Sequence, residues 1–483
     1  MPISFVQRAT GLAAVVVTLT GLAAASTQAP QAVPSPAALH SIAAGHHRSA
    51  TGTVDPARTH QEIAGFGASE AYFQGFLANH PHSAEIYDAL FGPVNGLHTD
   101  FLRLQNSFRY APSTEFARDT LAIVEHANAL RSSRMTIIMS SWSPPSNLKS
   151  NASEKNGGTL IRVNGHYAYD RFAQYWQDSV RVYRALGIDP TYVSIQNEPD
   201  ETTDYESCRF NPSEAPYKGE SNAGYAEALD AVYKSFRHLP SPPHLLGPET
   251  IGIGYGDEAA FAKALNPDEI YAVTHHLYTG GDKNDPDSFI PAMQAVKDQS
   301  QGRLRFMTEY YTPTGFDTAL MIHNALTVEE VSLYLQWPYT WPSGEGGGGL
   351  LQVEDPRDPA HWKNKDGWKF ADSYFAMKQF SYAIHAGYRR VDASSSNDQV
   401  KISAFVSPRG DKLVVVAINT SAGEDTSLKL KLGTFAVHAS SIIYRTTFAV
   451  PEATERFASL GPLAPDGILD LPPHSVATLE IVK

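Results

Sequence analysis

The chain has 483 residues, of which 42% are hydrophobic, and this length is more than one ordinary domain needs. Its formal net charge of −13 argues against a nucleic-acid partner, which requires a basic surface, and against an anionic membrane, while a neutral polymer stays compatible. Cys208 is the only cysteine, so no disulfide can form within the chain, and we expect it to be a buried apolar side chain.

The first 25 residues have the pattern of an export signal. Arg8 supplies a positive charge, residues 11–25 are apolar, and Ala23-Ala24-Ala25 offers a small-residue cleavage site. A transmembrane anchor is the alternative, but an apolar run of about 15 residues is short of the roughly 20 that a span needs. We therefore expect a signal peptide over 1–25 and a secreted protein, extracellular or periplasmic. Residues 26–50 are rich in Pro and Ala and are predicted to be a disordered linker.

Short β-rich runs then alternate with amphipathic stretches from about residue 62 to 384. The candidate strands are 63–67, 101–105, 135–141, 192–197, 245–248, 272–278, 304–308 and 333–337. Most are continuous apolar runs, as expected for parallel strands buried on both faces. One intervening stretch carries a helical stripe of apolar residues at Phe172, Trp176, Val180 and Tyr183.

This alternation predicts the α/β class and, within it, a (β/α)8 TIM barrel over residues 51–385. A doubly wound open sheet is the alternative. It is disfavoured because Gly65-Phe66-Gly67 lacks the third glycine and the acidic partner of a dinucleotide-binding turn.

After about residue 386 the hydrophobic period changes to two. Leu428-Lys-Leu-Lys-Leu alternates strictly, and Pro408-Arg-Gly-Asp lies between two apolar runs as a hairpin turn would. Residues 386–483 are therefore predicted to form an all-β sandwich side domain. Residues 51–62 precede the first barrel strand, and we expect them to add a strand to this domain.

Two of the predicted barrel strands end in a glutamate. The fourth ends in Asn197-Glu198-Pro199 and the seventh in Thr308-Glu309, and a TIM barrel carries its chemistry at these C-terminal strand ends. Cleavage of a glycosidic bond needs two facing carboxylates, one to protonate the leaving oxygen and one to attack or to activate water. The alternative is that each is a helix-start acid stabilised by the helix dipole. The amide of Asn197, which can bind a sugar hydroxyl, favours the catalytic interpretation.

Aromatic residues end four of the predicted strands. They are Trp142, Tyr278, Tyr310 and Trp337. An isolated aromatic residue would be a core residue, but four at the strand ends of one barrel predict a cleft whose rings stack on sugars. Arg103, inside the second strand, needs a partner because it is a buried cation; a barrel-mouth carboxylate is one candidate and a structural ion pair elsewhere is the other. His275 and His276 are adjacent and point to opposite faces of a strand, so we expect no metal site.

Several motifs together resemble glycoside hydrolase family 30. They are Gln61-Glu-Ile-Ala-Gly-Phe-Gly67, Ser141-Trp-Ser-Pro-Pro-Ser-Asn-Leu-Lys149, Val193-Ser-Ile-Gln-Asn-Glu-Pro-Asp200, His276-Leu-Tyr278, Met307-Thr-Glu309 and Ala386-Gly-Tyr-Arg-Arg-Val391. Members of this family pair a retaining barrel with a β-sandwich side domain. The resemblance implies that Glu198 is the acid/base and Glu309 the nucleophile. It also implies a sugar subsite formed by Asn197, Trp142, Arg103 and Tyr278, to which we add Tyr310, Trp337 and His276 as substrate-binding candidates, with no cofactor and no metal.

The segment Asp204-Tyr-Glu-Ser-Cys-Arg209 resembles the bacterial xylanase branch of the family. Members of that branch that require glucuronic acid on xylan carry an arginine-rich segment after the eighth strand. Here Gln336-Trp-Pro-Tyr-Thr-Trp-Pro342 is followed by Glu345 and four glycines, with no arginine before Arg357. We therefore predict an endo-β-1,4-xylanase without strict glucuronic acid dependence, a monomer that acts on polysaccharide or oligosaccharide.

Two kinds of alternative stay open. The first is another activity of the same family, namely β-1,6-glucanase, β-1,6-galactanase or glucosylceramidase-type activity. The second is a non-catalytic carbohydrate-binding protein, against which the presence of both glutamates counts.

Overall fold

The computed structural model describes residues 48–107, 114–300, 302–435, 440–449 and 455–483. The predicted signal peptide and residues 26–47 of the predicted linker lie outside this range. Residues 48–50 are a correction to the linker prediction, because they begin a strand in which Ala50 is buried. Across the described ranges, no helix combines the length and the apolar character that crossing a membrane requires.

In the described ranges, strands alternate with helices up to about residue 381, and further strands follow. The strands are β1 Arg48–Glu62, β2 Gly65–Glu70, β3 Phe101–Gln105, β4 Thr136–Ser140, β5 Arg162–Val163, β6 His166–Tyr167, β7 Tyr192–Ser194, β8 His244–Thr250, β9 Ala272–His276, β10 Arg305–Glu309, β11 Leu333–Pro338, β12 Thr340–Pro342, β13 Leu351–Val353, β14 Trp368–Phe370, β15 Arg389–Ser395, β16 Val400–Val406, β17 Lys412–Asn419, β18 Thr426–Lys431, β19 Ser440–Thr447, β20 Ala458–Gly461, β21 Ile468–Leu471 and β22 Ser475–Val482. The α-helices are α1 Gln74–Ala78, α2 Ser83–Phe91, α3 Thr114–Leu130, α4 Tyr169–Ala185, α5 Tyr225–Phe236, α6 Asp257–Ala264, α7 Ile290–Gln299, α8 Gly315–Asn324 and α9 Asp372–Ser381. Single turns of 3-10 helix lie at Ser146–Leu148, Pro286–Phe289 and Pro359–His361, and Ala325–Glu329 is π-helical.

Eight parallel strands close into a barrel in the order β10-β11-β2-β3-β4-β7-β8-β9. The prediction of a TIM barrel is therefore confirmed, and the open-sheet alternative is excluded because β11 pairs with β2, with Leu333 opposite Gly65. A Cβ on Gly67 would lie 2.2 Å from the Phe101 carbonyl oxygen, so the glycine permits the close approach of β2 and β3. The predicted stripe of α4 is fully buried against the barrel.

The barrel interior changes from apolar to polar along the strands. Its lower layer is a cluster of buried apolar side chains that includes Phe101 and Ile138. Two residues further along the same strands, the inward positions hold Arg103 and Ser140. Because the interior is filled, only its C-terminal end is open to a ligand.

The second sheet has nine strands in the order β20-β19-β22-β17-β16-β15-β1-β18-β21. Strand β1 lies antiparallel to β15 and parallel to β18, so a segment that precedes the barrel completes this sheet. Alternate side chains of β17 belong to different cores. Val414, Val416 and Ile418 join the core that contains the barrel, whereas Leu413, Val415 and Ala417 join the core of the β domain itself.

Hydrogen bonds also join the β domain to the last barrel helix. The amide of Gln379, on α9, donates to Thr446 Oγ1 over 2.9 Å and accepts from Thr478 Oγ1 over 2.5 Å. All three side chains are buried. The sheet therefore covers α9 through specific polar contacts as well as apolar packing.

Candidate active site

Glu198 and Glu309 face each other at the C-terminal end of the barrel. Glu309 is the last residue of β10, and Glu198 follows β7 in a left-handed conformation with φ 47°. Their side chains are only 6% and 7% exposed. One carboxylate oxygen of each lies with a ring nitrogen of His276 in a group whose members are all within 4.8 Å of one another. This separation favours the retaining arrangement, about 5–5.5 Å between carboxyl groups, over the inverting one of about 6.5–9.5 Å.

Arg103 connects three groups at the barrel mouth. Its Nη1 donates to Glu309 Oε2 over 2.6 Å, its Nη2 to Asn197 Oδ1 over 2.7 Å, and its Nε to Glu249 Oε1 over 3.1 Å. The guanidinium carbon lies 4.6 Å from the ring centroid of Trp142. The structure thus gives this buried cation barrel-mouth carboxylates as partners, and Arg103 in turn orients Asn197.

Tyr278 and His276 complete the hydrogen bonding of the two glutamates. Tyr278 donates its hydroxyl to Glu309 Oε1 over 2.9 Å, so each oxygen of Glu309 accepts from a different donor. His276 Nδ1 lies 3.0 Å from Glu198 Oε1. The neighbouring His275 points to the other side of the strand, where its Nε2 lies 3.2 Å from the buried carboxylate of Glu329.

The charged groups of the site shift one another's pKa values. Burial lowers the pKa of His276, but the carboxylates of Glu309, Glu198 and Glu249 outweigh it and raise this pKa to about 9, so the ring is cationic at neutral pH. Burial raises the pKa of Glu249, but Arg103 and His276 outweigh it and lower this pKa to about 2.

The two facing glutamates compete for one proton. Burial raises the pKa of Glu309; His276 and Arg103 oppose this rise, and the carboxyl group of Glu198 adds to it. Two carboxylates at this distance resist joint ionisation. A site of this kind can donate a proton from one carboxyl group while the other stays ionised.

An aromatic cluster lines the cleft beside the glutamates. Trp142, Trp337 and Trp341 are its buried tryptophans, and Tyr72, Phe73, Tyr205 and Tyr311 pack against them. The ring centroids of Trp142 and Trp337 lie 6.0 Å apart. The sequence predicted Trp142 and Trp337 as cleft residues but not the other aromatic side chains. These lie in loops or short strands, where the sequence shows no hydrophobic period.

Tyr310 requires a correction. Its side chain is 1% exposed and packs in the main core, with its ring centroid 5.9 Å from that of Phe289. The physical reason is alternation: Glu309 points into the barrel mouth, so the next side chain points away from it. Tyr311, one residue later, is the tyrosine that joins the aromatic cluster.

The glycine-rich segment after β12 lies directly on this cluster. A Cβ on Gly347 would come within 2.0 Å of the Trp341 ring, and one on Gly348 within 2.3 Å of the Tyr311 ring. Gln336 Nε2 donates to the Gly348 carbonyl over 3.1 Å. The glycines therefore let the backbone contact the aromatic faces, which fixes the shape of this side of the cleft.

Glu249 is a third carboxylate that sequence reasoning missed. It lies near the end of β8, is fully buried, and has φ 62°. A signal was present, because Glu249 immediately follows the predicted strand 245–248 and so meets the criterion that selected Glu198 and Glu309.

The group formed by Glu198, His276 and Glu309 has the donor atoms to hold a metal ion. The surrounding charges oppose this, because Arg103 already binds Glu309 and the His276 ring is itself cationic. A divalent cation would have to displace the Arg103 guanidinium from Glu309 and a proton from the His276 ring. The arrangement is better suited to acid–base and nucleophilic chemistry.

Comparison with known proteins gives three findings. Residues 387–479 match the family model described as the glycosyl hydrolase family 30 beta sandwich domain. Glucuronoxylanase XynC of Bacillus subtilis (strain 168) is 26% identical over 313 residues, which are 62% of this chain and 63% of that protein, so the match spans just under two thirds of the relative. Two solved structures are similar over 90% of this chain: the catalytic domain of GH30 xylanase C from Talaromyces cellulolyticus (TM-score 0.70, 21% identity, 100% of that chain) and the endo-beta1,6-glucanase BT3312 (TM-score 0.65, 15% identity, 95% of that chain).

The closed barrel defines the class of the fold as a TIM barrel, and the two facing glutamates at its mouth are the groups that glycosidic cleavage needs. Within that class, the attached β domain and the similar proteins confirm the predicted resemblance to glycoside hydrolase family 30, with xylanases among the relatives.

Proposed function

We propose that this protein is a secreted, retaining β-glycosidase that hydrolyses plant-type polysaccharide, and specifically an endo-β-1,4-xylanase without a strict need for glucuronic acid. The observation that carries the proposal is the carboxylate pair, in which oxygens of Glu198 and Glu309 lie within 4.8 Å of each other at the mouth of a closed barrel. A non-catalytic sugar-binding protein has no use for two buried carboxylates at this spacing.

The hydrogen bonds support a division of roles. Glu309 accepts from both Arg103 and Tyr278, which stabilise its ionised form, so it is the nucleophile. Glu198 is the acid/base. In the first step Glu198 gives its proton to the leaving oxygen while Glu309 forms a bond to the anomeric carbon. In the second step the Glu198 carboxylate takes a proton from water, whose oxygen displaces Glu309.

The substrate proposal rests on what surrounds the cleft. The segment from Trp337 to the glycines contains no arginine that could pair with a glucuronate carboxylate. Arg209, which follows the acid/base in the sequence, already binds the Asp200 carbonyl and pairs with Glu220 over 2.8 Å. The relative XynC is called a glucuronoxylanase. In the part of the chain that the structure describes, neither this segment nor Arg209 offers a free guanidinium that could bind a glucuronate branch.

A β-1,6-glucanase is the second candidate, because BT3312 has the same fold. The test is a comparison of initial rates on linear xylo-oligosaccharides, glucuronoxylan, β-1,6-glucan and β-1,6-galactan. We expect similar turnover of the two xylan substrates. A preference of about a hundredfold for glucuronoxylan, or about 2.7 kcal/mol of transition-state discrimination, would mean that another cation binds the branch. Turnover of a β-1,6-linked polymer alone would reject the xylanase proposal and keep the glycosidase.

Stereochemistry and export have separate tests. The first sugar product, followed by NMR before mutarotation, should be the β-anomer; an α-anomer would reject the retaining mechanism. Secretion is supported by the apolar segment 11–25 and the small residues at its end. Expression of the full chain in a bacterium should release a protein whose N-terminus lies near residue 26, and an unprocessed protein in the cytoplasm would contradict export.

A further inference from the structure

Glu249 lies beneath the catalytic groups without lining the cleft. Its side chain has no exposed surface, and its Oε1 accepts from Arg103 Nε over 3.1 Å and from Ser140 Oγ over 3.3 Å. The same oxygen lies 3.9 Å from His276 Nε2. Its backbone carbonyl accepts the amide N–H of Glu198 over 3.0 Å. Glu249 therefore contacts a neighbour of each catalytic glutamate and the backbone of one of them.

The conformation of Glu249 indicates that this placement is costly. A left-handed backbone, with φ 62°, is unfavourable for a non-glycine residue and persists only where the surroundings enforce it. Among the described residues, Oε2 has no hydrogen-bond partner, although it is buried. A carboxylate held in this way keeps its charge only because cations face it, and here these are Arg103 and His276.

The charges of five of these buried groups can then balance. Arg103 and His276 are cations and Glu249 is an anion, so the five are neutral when Glu198 and Glu309 together hold one proton and one negative charge. After the first chemical step Glu309 is an uncharged ester and Glu198 has lost its proton, so the group is neutral again. Without Glu249 it would carry one excess positive charge in both states, which is unfavourable in a buried site.

Other ionisable groups also face these five. Burial, with Glu198 adding to it, raises the pKa of the Asp200 carboxyl group to about 7. Several phenols face the same groups and take no part in the balance. Tyr225, from α5, is near Glu249, and Tyr278 binds Glu309. Burial and the adjacent carboxylates raise the pKa of both phenols well above the ordinary value, so both stay uncharged. On the cleft side, burial and Glu198 and Glu309 likewise raise the pKa of Tyr205 beyond the working range.

We propose that Glu249 is a positioning residue that fixes Arg103 and His276 as a pair of oriented cations and thereby assigns the shared proton to Glu198. By binding Nε, Glu249 turns the Nη1 edge of the guanidinium toward Glu309. By keeping His276 charged, it keeps an N–H on Nδ1 that donates to Glu198 Oε1. Because Oε1 accepts from His276, Oε2 is the oxygen from which Glu198 gives its proton to the leaving group. This inference rests on the proposed glycosidase function.

The test compares Glu249→Gln with Glu329→Gln as the matched control. Both glutamates are fully buried, and each lies against one member of the His275–His276 doublet, on opposite sides of β9. Loss of the Glu249 charge lowers the pKa of the remaining acid groups. We expect Glu249→Gln to lower kcat/KM at least about tenfold and to move the alkaline limb of its pH profile down by about one pH unit or more. Glu329→Gln should leave the position of that limb unchanged.

A purely structural role would lower the rate and leave the pH profile where it is, and that outcome overturns the proposal. So does a Glu249→Gln protein with unaltered kcat/KM. If the variant fails to fold, the wild-type protein still decides the question. NMR of 15N-labelled histidine, assigned with His276→Gln, should show the His276 ring doubly protonated at pH 7, and a neutral ring would overturn the proposal. This readout needs no substrate, so it stays informative if no glycoside is turned over.

Discussion

At the scale of single residues, Glu198 and Glu309 are chemically alike and differ in their donors. Glu309 accepts one hydrogen bond on each oxygen, whereas Glu198 faces the His276 ring through Oε1. Because of this asymmetry, we expect the two alanine variants to differ in how their rates depend on the leaving group. A poor leaving group needs a proton from Glu198, whereas an activated one does not.

We expect Glu198→Ala to lose at least about a hundredfold in kcat on a polysaccharide, which needs a proton donor. With an activated aryl glycoside and added azide, the small anion can enter the vacated space and restore turnover. Glu309→Ala, the comparison variant, should give no retained product with either substrate. The measurement is the initial rate with and without azide. Identical behaviour of the two variants across leaving groups would show that the roles are not divided.

Much of this site was predictable residue by residue, and the failures have physical causes. The strand-end rule selected Glu198 and Glu309, and the requirement that a buried cation be paired linked Arg103 to a carboxylate. Tyr310 was assigned to the cleft because it ends a predicted strand, although strand alternation turns the residue after the inward-pointing Glu309 away from the mouth. Tyr311 was missed for the same reason.

At the scale of elements, Glu70 joins the end of β2 to β12. Its carboxyl group accepts from Thr340 Oγ1 over 2.6 Å and from the Thr340 amide over 3.3 Å. Burial raises the pKa of Glu70 to about 8. The hydrogen bonds from Thr340 lower this pKa, but by less than burial raises it. The folded protein therefore holds Glu70 protonated at neutral pH, with the acid group anchoring the segment that carries Trp341.

This shift has a predictable effect on stability. The folded pKa is raised, so the contribution of Glu70 is fully present below its unfolded pKa, near 4.5, and is lost as the pH rises to about 8. In that window the free energy of unfolding should fall by about 1.4 kcal/mol per pH unit from this group. Glu70→Gln keeps a donor and an acceptor for Thr340 and removes the titration. Urea unfolding of both proteins at pH 5 and pH 8 should show the variant gaining relative stability at pH 8; equal differences at both pH values would contradict this.

A second prediction concerns the glycine-rich segment on the aromatic cluster. Gly347→Ala would place a methyl group 2.0 Å from the Trp341 ring, so either the segment or the ring must move. A displacement of this size in a substrate cleft should lower kcat/KM on polysaccharide at least about tenfold. Gly423→Ala is the control, because its φ lies outside the left-handed region and a Cβ there meets nothing within 4 Å. Equal rates for the two variants would mean that the segment does not shape the cleft.

The barrel strands were predictable because most of them are buried apolar runs, and the predicted strand 101–105 coincides with β3. The ends of the strands were less predictable. The predicted strand 192–197, for example, extends three residues beyond β7. The small sheet β12-β13-β14 was not predicted at all. Its strands have three residues each and flank a glycine run, so they carry no period from which a strand could be inferred.

At the scale of the whole molecule, the barrel and the β domain share a core. The alternate side chains of β17 divide between the two cores, and Gln379 joins α9 to β19 and β22. An interface of this kind is part of the fold and differs from a flexible tether, so the two parts should unfold together.

Removal of residues 386–483 should therefore yield insoluble protein. It would uncover the apolar surface around α9 and leave β1 without both of its neighbouring strands. Solubility after expression and a thermal melt of the full chain provide the measurement, and the full chain should melt in one transition. A version that also lacks 48–62 controls for the unpaired strand. A soluble and fully active barrel from either version would show that the interface is dispensable.

The position of β1 also sets a time scale for folding. The amide of Thr51 donates to Ser396 Oγ, a residue 345 positions later in the chain. At about 5–20 residues per second, a ribosome needs roughly 20–70 seconds to make that partner. During this interval the 15 residues of β1 have no partner strand on either side. Their unpaired backbone N–H and C=O groups could pair with another chain and lead to aggregation. Asp55, Pro56 and Arg58 lie within this strand, and they are of the residue types that block unwanted strand pairing.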